Sequence, residues 1–100
     1  AMQEDHVSMG WAAARKLRRA LDGLTRVLAI EVLTAARALD LRTPLQPSPA
    51  TGAAVRALRD AGVGGPGPDR FLSPEIETCV DLIVDGALLR AVVAEIGALE

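Results

Sequence analysis

A proline-free segment from Val7 to Leu39 constrains this chain more than any other feature, because it carries a stripe of leucines at helical spacing. Gly10 and Gly23 are the only glycines in it, and each costs about 1 kcal/mol relative to alanine in a helix, which weakens the helix prediction without reversing it. Ser8 or Asp5 can cap the N-terminus. The stripe has spacings of four, three and four residues, which place its members on one helix face: Leu17, Leu21, Leu24 and Leu28.

This predicted helix is longer than the domain to which it would belong. About 33 residues at a rise of 1.5 Å extend for about 50 Å. A compact 100-residue domain has a radius of gyration of about 13 Å, hence a diameter of about 33 Å as a sphere. Either the helix breaks at Gly23, or protein outside this chain covers it. External cover is favoured, because the second half of the segment is apolar around most of its circumference.

A second helix is predicted after a connector, Leu41 to Pro49, that contains three prolines. Ser48 before Pro49 is a helix start signal, since Ser caps free amides and Pro suits the first helical position. The helix runs to about Ala61, and Gly62 ends it. Three of its residues are expected in the core: Ala54, Val55 and Leu58.

Two more helices complete an all-α fold of one long helix plus three shorter helices. Ser73, followed by a proline, repeats the start signal as an N-cap, and Glu75 is favourably placed against the helix dipole. This third helix ends at Gly86, and the fourth runs from Ala87 to about Leu99. No strand pattern is present. The predicted core face of the third helix has four members: Ile76, Val80, Ile83 and Val84.

Composition excludes several classes of protein. The net charge is −2 with both signs interspersed, so no nucleic-acid partner is expected. Apolar runs such as Val27 to Ile30 reach only four residues, too short to span a membrane. The single cysteine, Cys79, excludes an internal disulfide, and no metal-ligand spacing occurs. With no visible signal peptide, a reducing, cytoplasmic location is expected.

Polar residues crowd the start of the chain, where Glu4, Asp5 and His6 are consecutive. Composition alone favours a solvated terminus over half of an active site. Ser8 near His6 suggests a nucleophile and its base, but no orienting group or oxyanion donor is identifiable. Cys79 is expected to be an inert core residue.

Glu31 interrupts the apolar part of the long helix. A carboxylate buried there needs a partner. Arg37 or Arg26, from this chain or another, would serve, and a structural salt bridge is a better interpretation than a catalytic role.

Three stretches resemble the C-terminal region of the MIO-dependent aromatic amino-acid ammonia-lyases and aminomutases. They are QEDHVSMG from Gln3 to Gly10, RVLAIEVLTAARALDLR from Arg26 to Arg42, and DRFLSPEIETCVDLI from Asp69 to Ile83. The resemblance covers residues 3 to 95. Phenylalanine enzymes carry Asn-Gln-Asp where this chain has Gln-Glu-Asp, so the octapeptide indicates the histidine branch of the family.

The resemblance implies an enzyme that eliminates ammonia from L-histidine to give trans-urocanate. Glu4 matches the family's active-site glutamate and is the expected catalytic residue; Gln3 and Glu4 are the expected substrate-binding residues. His6 is assigned no catalytic step. The electrophile of the family, methylidene-imidazolone (MIO), forms from an internal Ala-Ser-Gly that is absent from these 100 residues. No cofactor is therefore expected in this chain, which is predicted to be inactive alone.

The resemblance also implies homotetramers built around long helices, so self-association through Leu17 to Leu39 is expected. Residues 1–2 are interpreted as a tag remnant and start methionine, and residues 3–100 as the C-terminal helical region of the lyase. Two alternatives stay open: a non-catalytic helical module for oligomerisation or for regulating a lyase, and a lyase for another aromatic amino acid.

Overall fold

The computed structural model describes residues 9–99, which form four helices and, within that range, no strand. This confirms the predicted all-α class, with one long helix and three shorter ones. The helices are α1 (Gly10–Asp40), α2 (Pro49–Asp60), α3 (Ser73–Val84) and α4 (Ala87–Ile96).

The long helix α1 is continuous over 31 residues and does not break at Gly23. Met9 occupies its N-cap position without a side-chain hydrogen bond, so the prediction of Ser8 or Asp5 as the cap is wrong; both residues lie outside the described range. The first turn is closed by the backbone alone, with Ala13 N–H donating to Met9 O at 2.9 Å.

The molecule is elongated, because α1 extends beyond the helices that pack on it. The principal extents are 71 × 37 × 19 Å and the radius of gyration is 18.8 Å, against about 13 Å for a compact chain of this length. The predicted overhang of α1 is therefore confirmed. What covers the overhanging part stays a prediction.

Helix α2 begins and ends at the residues that its signals indicate. Ser48 Oγ accepts a hydrogen bond from Thr51 N–H at 3.4 Å, and Pro49 is the first helical residue. The helix ends at Asp60, and Gly62 follows with φ +92°, a conformation that favours glycine. Leu58 is buried as predicted, whereas Ala54 and Val55 are only half-buried. The other buried residues of α2 are Gly52 and Ala53.

Helices α3 and α4 differ from prediction at their ends. The N-cap of α3 is Leu72, not Ser73, because Leu72 O already accepts from Ile76 N–H at 3.0 Å and closes the first turn. Helix α4 ends at Ile96, three residues before the predicted Leu99, because Gly97 turns the chain with φ +82°. Val84, predicted in the core, is exposed.

The core is small and lies where α3 packs on α1, beside the packing of α4 on α2. Its buried members come from three helices and one loop: Ala29, Leu33, Ala36, Leu58, Val63 and Cys79. Small residues on α1 allow α3 to approach closely. Within residues 9–99, no helix is long and apolar enough to cross a membrane.

Candidate functional site

The residues predicted to form the site, Gln3 and Glu4, lie outside the described residues, as does His6. In the sequence they stand a few residues before the start of α1. Their predicted roles are therefore untested by the structure. The described part of the chain shows what surrounds α1 and which other charged groups are available.

Glu31 is exposed in this single chain, so its predicted burial, which would need protein outside the chain, stays a prediction. It forms no ion pair among residues 9–99. Arg26, one of its two predicted partners, instead pairs with Glu77 of α3. The cause is geometric: α3 packs on the opposite flank of α1, where Ala29 and Leu33 are buried, and leaves the Glu31 side open.

One cluster of paired charges spans the loop between α2 and α3. Arg70 Nε donates to Glu75 Oε2 at 2.8 Å, and Arg70 Nη2 donates to Glu75 Oε1 at 3.0 Å. Glu75 Oε1 also accepts from Gly64 N–H at 2.7 Å, while Arg70 Nη2 donates to Gly65 O at 3.0 Å. The pair thus fixes the loop to the first turn of α3.

A second pair anchors the same loop to the end of α1. Arg59, in the last turn of α2, forms an ion pair with Asp40, the last residue of α1. Its Nη1 also donates to Val63 O at 2.9 Å and Gly64 O at 3.1 Å. We call Asp40, Arg59, Arg70 and Glu75 the loop cluster.

The loop cluster is structural rather than catalytic, because each of its charges is already satisfied. The guanidinium of Arg70 lowers the pKa of Glu75 to about 2, burial opposes this, and the Gly64 N–H adds to the lowering. A permanently ionised, paired carboxylate is a poor proton acceptor at neutral pH. A Cβ added at Gly65 would lie 2.8 Å from an oxygen of the Asp40 side chain, so that side chain would have to shift from its place beside Arg59.

Sequence reasoning missed most of this cluster. Glu75 was singled out for the helix dipole, but its pairing with Arg70 depends on the path of a Gly/Pro-rich loop that has no periodic signal. Arg59 and Asp40 are nineteen residues apart. The sequence offered one signal for this pair: both residues were predicted near a helix end, where a charged side chain can contact a neighbouring loop.

Cys79 lies in the core, as predicted, and is 0% exposed. Burial raises the pKa of its thiol, Glu75 raises it further, and Arg59 opposes the shift. A protonated, inaccessible thiol is a weak nucleophile. In the described part of the chain, no group of histidine, cysteine and acidic residues could hold a metal ion.

The largest unexplained feature of α1 is an exposed apolar surface. Four leucines of the predicted stripe are 40 to 60% exposed, although each is large and apolar. We call this row the leucine seam. It lies beside the face of α1 where Ala29, Leu33 and Ala36 are buried, and it is not buried within residues 9–99. Its members are Leu17, Leu21, Leu24 and Leu28.

A second apolar feature is a groove between α2, α3 and α4, with a volume of about 430 Å³. Leu89 on its rim is 56% exposed. Apolar surfaces of this kind mark sites where other protein or a ligand packs. The groove is lined by Ala54, Ile83, Leu88, Leu89, Val92 and Leu99.

The chain was compared with protein families and with solved structures. A sequence model described as aromatic amino acid lyase matches residues 1–60, which include the start of the chain and all of α1. No solved structure gave a significant match.

Curated proteins similar to the chain carry the name histidine ammonia-lyase. One from Streptomyces avermitilis is 58% identical over 91% of the chain, and one from Streptomyces coelicolor is 54% identical over 99%. One from Symbiobacterium thermophilum is 49% identical over the whole chain. The chain spans only 18 to 20% of the length of these relatives.

Proposed function

Because this chain belongs to the aromatic amino acid lyase family, we propose that it forms the C-terminal helical part of a histidine ammonia-lyase. The complete enzyme would eliminate ammonia from L-histidine and give trans-urocanate. The observation that carries this proposal is the high identity to histidine ammonia-lyases along nearly the whole chain. Related enzymes for other aromatic amino acids are a weaker alternative, since the histidine-type octapeptide is present at Gln3 to Gly10.

Glu4 is the residue that we propose to take part in the reaction, with Gln3 beside it at the substrate. A carboxylate next to the substrate's ammonium group stabilises that charge and can accept or return its proton as the carbon–nitrogen bond breaks. In the described chain the carboxylates of Asp40 and Glu75 are already paired with arginines, so neither is proposed as the reacting group.

The electrophilic group of the family does not fit the residues present here. It forms from Ala-Ser-Gly, and that tripeptide does not occur in the 100 residues. We therefore derive no step through it. The electrophile and the base would come from other parts of the enzyme, and this chain by itself is proposed to be inactive.

Self-association through residues 17 to 39 is the second part of the proposal. It is supported by the exposed leucine seam and by the overhang of α1, because both leave apolar surface that water disfavours. The groove beside α4 offers a further surface for other parts of the enzyme. We propose a cytoplasmic location, which suits a chain whose single cysteine is a free thiol, and we propose residues 3–100 as the lyase region.

A chimera tests the catalytic proposal. This chain replaces the corresponding segment of the Streptomyces avermitilis histidine ammonia-lyase, and urocanate formation from L-histidine is followed by absorbance. We expect activity in the chimera, and a loss of at least about a hundredfold in kcat after Glu4→Gln, in line with removal of a charged catalytic group.

Asp22→Asn is the matched control, because it removes one exposed carboxylate from α1 that forms no ion pair in the described chain. It should leave kcat unchanged. A folded chimera without activity would contradict the assignment to histidine ammonia-lyase, and an active Glu4→Gln variant would contradict the role of Glu4. Urocanate formed by the 100-residue chain alone would refute its proposed inactivity.

A further inference from the structure

We draw no further inference here: the strongest candidate, the apolar groove that Ala54 of α2, Ile83 of α3 and Leu88 of α4 line, is an unpartnered surface, and nothing in the structure shows what covers it.

Discussion

Glu75 accepts two hydrogen bonds from Arg70, at 2.8 and 3.0 Å, across the loop that joins α2 to α3. The same carboxylate accepts a third from Gly64 N–H at 2.7 Å. Together with Arg59 and Asp40, this pair ties the loop to the ends of α1, α2 and α3. These polar contacts lie beside a small apolar core.

Stability should fall in acid because of Glu75. Its pKa is lowered from 4.5 to about 2 in the folded chain. The unfolded chain therefore takes up a proton first, and the stabilisation, complete above about pH 4.5, is lost as the pH falls towards 2. The urea midpoint should decrease over that range. Glu75→Gln should lower the midpoint at pH 7 and flatten its decrease in acid.

Glu77→Gln is the control for this experiment. Glu77 also pairs with an arginine, Arg26, but about half of each side chain is exposed, and solvent screens such a pair. We expect a smaller loss at pH 7 than for Glu75→Gln. Equal decreases in the urea midpoint for the two substitutions would show that the Arg70–Glu75 pair stabilises the fold no more than an exposed ion pair does.

Leu58→Ala should be among the most damaging single substitutions. Leu58 is 1% exposed and contacts the core from α2. Removing a buried leucine side chain costs about 2–5 kcal/mol, and the cavity that remains is part of that cost. Urea unfolding measures the loss. Leu41→Ala makes the same chemical change at a position that is 75% exposed, and it should cost less than about 0.5 kcal/mol.

Two glycine-to-alanine substitutions should have opposite effects. At both Gly23 and Gly62 an added Cβ would meet nothing within 4 Å. Gly23 lies inside α1, where alanine gains about 0.5–1 kcal/mol in helix propensity. Gly62 has φ +92°, where any L-residue is strained, by about 1–2 kcal/mol. Gly23→Ala should raise the free energy of unfolding and Gly62→Ala should lower it; the same sign for both would contradict this assignment to backbone conformation.

Local signals predicted the helices because their causes are local. The cap at Ser48 and the stop at Gly62 involve neighbouring backbone groups, and the leucine stripe depends only on helical spacing. The overhang of α1 followed from its length alone. By contrast, Ser73 was predicted as a cap from its residue type, but the carbonyl of Leu72 closes that turn first.

The charged contacts and the burial pattern depended on how helices pack. Glu31 is exposed because α3 covers the other flank of α1, so its predicted burial would need protein outside this chain. The loop cluster joins residues from three helices and could not be read from spacing. For the predicted site, composition alone favoured a solvated terminus, and only the family resemblance assigned roles to Gln3 and Glu4. Those roles stay predictions.

Cys79 should be protected from thiol reagents until the chain unfolds. It is 0% exposed, and burial raises the pKa of its thiol, so both access and thiolate formation oppose reaction. We expect little reaction with a chromogenic disulfide reagent in buffer at pH 8, and one thiol released per chain in urea. Leu58→Ala should speed the reaction in buffer, because the opened core lets the reagent reach Cys79 more often. Leu41→Ala should not. Rapid reaction of the unsubstituted, folded chain would show that the contact of α3 with α1 opens readily, which would contradict the core described above.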